Sequence, residues 1–138
     1  MAMTSVADTR LLITLQFPPD DAVKRNVQTF VQKEIAYGII LPSIVLSEFL
    51  KVAGSQIGIQ AAIRTINVLK DRGVKVKPID EELALEAGKL LIKHAHVPVA
   101  DTLVASFVTT KSAAYVLSDD PHFKVLGTKT KWFSLEFL

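Results

Sequence analysis

The chain has 138 residues, 49% of them hydrophobic, which suits one packed core and excludes a disordered polypeptide. Sixteen Lys and Arg against fourteen Asp and Glu leave a net charge of +2, which permits a polyanionic partner without arguing for one. Cysteine is absent, so disulfides and thiolate metal sites are excluded, and no run approaches the ~18 apolar residues of a membrane span.

In chain order, the start Met1-Ala2-Met3-Thr4-Ser5 lacks a basic segment followed by an apolar one, so no secretory signal is expected. Residues 3–7 read as a short strand running into Asp8. Pro18-Pro19-Asp20-Asp21 reads as a turn opening a helix, because carboxylates favour the positive end of a helix dipole. Val23, Val27, Phe30 and Val31 carry that helix to about residue 35. No element is assigned between Asp8 and Pro18. Gly38-Ile39-Ile40-Leu41 is a buried strand, and Ser43 is the expected N-cap of a helix over 44–53 that carries Glu48. Ala62, Ile63, Ile66 and Leu69 mark another helix stopping near Gly73. Residues 74–77 alternate like a strand. Asp80 opens a further helix, with Lys93, His94 and His96 near its end.

A helix is expected from Asp101 to about Lys111, then a strand over 113–117, a turn at Ser118-Asp119-Asp120-Pro121 and a last strand around Trp132-Phe133. The basic residues Lys124, Lys129 and Lys131 read as solvated. Repeats, low-complexity tracts and Gly/Ser linkers are missing, so residues 1–138 are expected to form a single domain. Strands that are continuous apolar runs, alternating with helices, indicate an α/β fold with a parallel sheet covered on both faces. In such folds ligands bind beyond the carboxyl ends of the strands.

Four acids stand out by placement. Asp8 and Asp120 follow strands, Asp101 opens a helix after Val97-Pro98-Val99-Ala100, and Glu48 is flanked by apolar residues on both sides. Each has an ordinary reading: a turn for Asp8 and for Asp119-Asp120, a helix cap for Asp101, and a lysine partner or a reach to the surface for Glu48. Taken together, they would converge on one edge of the sheet. Carboxylates so grouped resist ionisation, and a hard divalent cation removes that conflict. Four acids with no usable His or Cys point to Mg²⁺ or Mn²⁺. His94 and His96, two apart on a helix, would face different ways and form no metal pair. Gly54, Gly58 and Gly73 make no phosphate-binding loop, and no Gly-x-Ser-x-Gly supports a serine hydrolase. A receiver-like signalling domain would need an acidic pair after its first strand, where only Asp8 stands.

Four segments carry a resemblance: Val6-Ala7-Asp8-Thr9 with Arg10 and the aliphatics after it, Leu41-Pro42-Ser43 through Ser47-Glu48-Phe49, Ala100-Asp101-Thr102-Leu103, and Ser118-Asp119-Asp120-Pro121-His122-Phe123. In order and spacing they resemble the motifs of PIN domains, in particular the VapC-type toxins of toxin–antitoxin pairs, over nearly the whole chain. Arg10 stands where that family usually has Asn, and Ser118 where it has Thr. The resemblance implies a three-layer α/β/α fold and a cytoplasmic, metal-dependent endoribonuclease. Asp8, Asp101 and Asp120 would hold Mg²⁺ (or Mn²⁺), and Glu48 would position or deprotonate the attacking water. Thr9 and Ser118 would orient carboxylates, with Asp119 as a helper and Arg10 pairing with an acid or contacting phosphate. It also implies an RNA substrate, a VapB-type antitoxin and a homodimer. The alternative is a PIN domain impaired in catalysis that binds RNA or a partner.

Overall fold

The computed structural model describes residues 4–133. In chain order the elements are β1 (Ser5–Ala7), α1 (Thr9–Gln16), α2 (Asp21–Tyr37), β2 (Ile39–Pro42), α3 (Ser43–Ile57), α4 (Ile59–Asp71), β3 (Lys75–Lys77), α5 (Glu81–Lys93), α6 (Val99–Thr109), β4 (Tyr115–Leu117), α7 (His122–Val125) and β5 (Thr130–Lys131). The strands form one parallel sheet in the order β3-β2-β1-β4-β5. This is the expected α/β/α arrangement. Val6 lies at its centre, opposite Ile40 on one side and Val116 on the other, and is wholly buried. The three inner strands are apolar because helices cover both faces, whereas edge strand β3 shows its lysines to solvent. Parallel crossovers are right-handed as a rule, which with this strand order assigns α1–α4 to one face and α5–α6 to the other; α3 packs on α1 and α4, and α5 packs on α6.

Strand order reverses between β1 and β4, which makes their carboxyl ends the switch point where an α/β sheet offers a crevice. Local signals fix the chain around it. Asp20 and Asp80 cap α2 and α5, each accepting a backbone N–H three residues on, at 2.8 and 2.9 Å. Gly73 ends the α4 segment at φ 115°, a conformation that side chains resist.

Several boundaries depart from the sequence reading. Helix α1 is unassigned there, because Leu11-Leu12-Ile13 is a continuous run rather than a helical stripe. It forms by burying Leu11 and Leu12, and it closes at Phe17 because Pro18 disfavours helix in the residue before it. Ser43 is not a cap: Pro42 holds the N-cap position and Ser43 is the first helical residue. Helix α3 runs through Gly54 to Ile57. Only Lys93 of the basic trio belongs to α5, since His94 is its C-cap. The last strand falls at Thr130–Lys131, and Trp132 and Phe133 pack instead against Phe30, with ring centroids 6.3 and 6.1 Å away. Met3, the first residue of the expected opening strand, lies outside the described residues.

Candidate active site

Asp8 follows β1 directly and is only 5% exposed. It occupies the N-cap position of α1, yet its side chain makes no cap hydrogen bond. Its Oδ2 instead accepts the Ser118 hydroxyl at 2.9 Å, tying the end of β1 to the end of β4. Ser118 Oγ in turn accepts the backbone N–H of Asp120 at 3.0 Å, which sets the turn after β4. Asp120 then accepts the backbone N–H of His122 on Oδ1 at 2.9 Å, an aspartate turn that opens α7.

Asp101 is the third residue of α6, not its cap. Pro98 takes the N-cap position and no side chain caps this end. The carboxylate is therefore free to leave the helix axis, and it lies mostly buried, 3.0 Å from Nδ1 of His122. Glu48, on the sixth position of α3, accepts the Thr9 hydroxyl at 2.6 Å and stands close enough to Asp101 to raise its pKa. The four acids named from the sequence thus sit around the switch point, just after β1, on α3, on α6 and in the loop after β4. Thr9 and Ser118 each hold one of them by a hydroxyl.

Burial pushes the Asp8 carboxyl up to about 6, with the charges of Asp101 and Asp120 adding to the rise and the Ser118 hydroxyl opposing it. Asp101 is likewise pushed up to about 6, first by burial and then by Asp120, with His122 opposing. Arg10 turns to the exposed Asp119, Nε to Oδ1 3.0 Å, and its Nη1 comes no nearer than 4.0 Å to Asp120. No cation of the described residues pairs with Asp8.

His122 is the site residue that the sequence reading passed over. Its Nδ1 lies 3.0 Å from both Asp101 Oδ2 and Asp120 Oδ1, and one ligand atom from each of the three residues falls within a 4.8 Å group. The Asp-x-His spacing within Asp120-Pro121-His122 was the available signal. A short helix starting at that point brings the ring back over the aspartate.

The described residues include no helix long and apolar enough to cross a membrane. Residues 6–129 match the family model of the PIN domain. No curated protein sequence matches the chain. Among solved structures it is similar to Mycobacterium tuberculosis VapC20, a sarcin–ricin loop cleaving toxin, with TM-score 0.74, 16% identity and 90% of this chain and 95% of that one covered. It is also similar to VapBC2 from Rickettsia felis bound to a promoter DNA fragment, with TM-score 0.72, 15% identity and coverage of 96% and 100%. VapBC-1 from nontypeable Haemophilus influenzae gives TM-score 0.67 and 19% identity, with coverage of 94% and 96%.

Proposed function

The chain belongs to the PIN-domain family, and from that premise we propose that it is a divalent-metal-dependent endoribonuclease, the toxin of a toxin–antitoxin pair, acting as a single domain over residues 1–138 in the cytoplasm. The observation that carries this reading is the gathering of Asp8, Asp101 and Asp120 at the sheet's switch point, two of them with raised pKa values and Asp8 lacking a cationic partner among the described residues. The donor set fits the ion: hard carboxylate oxygens and no thiolate suit Mg²⁺ or Mn²⁺. Asp8, Asp101 and Asp120 would hold it. Bound there, it would lower the pKa of water and stabilise charge on a phosphodiester.

The chain's own groups do the remaining work. Glu48 is placed to orient the attacking water and take its proton, and the Thr9 hydroxyl fixes which way that carboxylate faces. Ser118 does the same for Asp8 and, through the Asp120 amide, shapes the turn that presents Asp120. The Arg10 side chain, half exposed beside this edge, supplies positive charge on the side from which a phosphate backbone would approach. An antitoxin of the VapB type is the partner that the similar complexes support. Leu85 and Ile92, seven apart on α5 and both exposed, offer apolar surface for pairing two copies.

The test is cleavage of a structured RNA by the purified chain with Mn²⁺ or with EDTA, alongside Asp101→Asn. Losing a metal ligand removes several kcal/mol of transition-state stabilisation, so cleavage by the variant should fall at least about a hundredfold. Cleavage that survives both EDTA and the substitution would overturn the enzyme reading. RNA binding without cleavage by the parent would favour the impaired binding module.

A further inference from the structure

We infer that His122 is a nitrogen ligand, through Nδ1, of the divalent cation shared by Asp101 and Asp120, and that it tilts the site toward Mn²⁺ over Mg²⁺. This rests on the metal-site reading above and adds a donor of a different kind to it.

Nδ1 of His122 is buried and makes no well-aligned hydrogen bond, although carboxylate oxygens of Asp101 and Asp120 lie 3.0 Å away. An N–H on that nitrogen would satisfy one oxygen at best, and its direction aligns with neither. A lone pair offered to a cation that both carboxylates also bind accommodates both neighbours, because donors to one ion need no alignment with each other. The two nitrogen–oxygen spacings suit such an ion, and the three ligand atoms all lie within 4.8 Å of one another. Metal–ligand bonds of about 2.1 Å put neighbouring corners of an octahedron about 3.0 Å apart.

The chain also holds the two donors of the α7 turn as a unit. The His122 amide clamps Asp120 Oδ1, and the next residue, Phe123, is wholly buried and anchors the helix. The ring is therefore placed by the same turn that places the aspartate. Its chemistry sets the consequence. Mg²⁺ holds to oxygen donors, whereas Mn²⁺ favours oxygen but, as a first-row transition ion, accepts an imidazole nitrogen more readily, so a nitrogen corner penalises Mg²⁺ more than Mn²⁺.

The competing account is that protonated His122 serves as a counter-charge to both acids and never touches a metal. Pulsed electron paramagnetic resonance on the Mn²⁺-loaded chain separates the two. The expected spectrum shows nitrogen modulation from a directly bound imidazole. The modulation should vanish in His122→Gln and persist in a His94→Gln/His96→Gln double variant. Labelling histidine with ¹⁵N in the parent should shift the pattern, a readout that stands even if His122→Gln folds poorly. In calorimetric titrations His122→Gln should lose about tenfold or more in Mn²⁺ affinity, with a smaller loss for Mg²⁺. Bound Mn²⁺ without histidine modulation overturns the inference and leaves the nuclease reading standing. A chain that binds no Mn²⁺ at all overturns both.

Discussion

Two buried acids at opposite ends of the central strands have been treated differently. Glu34, in the last turns of α2, is 3% exposed and meets Lys131 Nζ and the Ser5 hydroxyl, each at 3.4 Å. Lys131 is itself held over the Tyr115 ring, 4.5 Å from its centroid. Asp8, at the other end of β1 and similarly buried, has a hydroxyl partner and two acidic neighbours. β1 spans only Ser5–Ala7, so the contrast develops over roughly 10 Å. At one end the chain supplies its own cation, and at the other it leaves negative charge for something else to balance. The first arrangement serves stability, and the second suits binding.

The largest effect is expected where the internal pair is broken. Lys131→Met leaves Glu34 buried without its cation. Removing one partner of a buried pair costs about 3–5 kcal/mol, and because Lys131 keeps some exposure the expected loss is about 2–3 kcal/mol. Urea denaturation measures it. A loss well under 1 kcal/mol would erase the contrast between the two ends.

Asp8→Asn should move stability the other way. The folded-state pKa of Asp8 is raised above its unfolded value of 3.8 to about 6, so the native state binds the extra proton. Metal-free stability therefore falls as pH rises from about 4 to about 6, and the whole penalty stands at pH 7. Asn carries no charge to penalise. Thermal melts in EDTA should find Asp8→Asn at least as stable as the parent at pH 7, by up to roughly 2–3 kcal/mol, with the advantage gone near pH 4. Equal destabilisation at both pH values would mean that Asp8 is a structural residue like Glu34.

Arg10→Ala should matter least for the fold. The Arg10–Asp119 pair is about half exposed on both sides, and such pairs contribute about 0–1 kcal/mol. A loss of more than 2 kcal/mol in the same melts would show that the site balances its acids internally through Arg10.

Much of this was legible in the sequence because the acids lie at transitions that the sequence marks clearly. Asp8 and Asp120 follow apolar strands, and Asp101 follows Pro98, which cannot donate a backbone hydrogen bond. The parallel sheet followed from continuous apolar strands. Helix α1 was hidden because its buried residues are adjacent and so lack a period. His122 was hidden because the Asp-x-His spacing of Asp120-Pro121-His122 gains its meaning only when α7 folds the ring onto Asp101, 21 positions earlier in the sequence. Lys131 read as a solvated tail residue, since the acid it serves lies 97 residues away. Long-range pairing of this kind leaves no local trace.

The bond between Ser118 and Asp8 spans 110 residues and lies beside the pairing of β1 with β4. During synthesis the first carboxylate leaves the ribosome long before its partners, and β1 has no β4 to pair with until Tyr115–Leu117 has been made. A nascent chain stopped anywhere before that point lacks Ser118, Asp120 and His122 together. Since closing so long a loop is among the later events of folding, the proposed cutting edge comes into being only after the segment from Tyr115 to His122 has been made. A nascent chain would thereby carry no assembled acidic edge until those residues emerge.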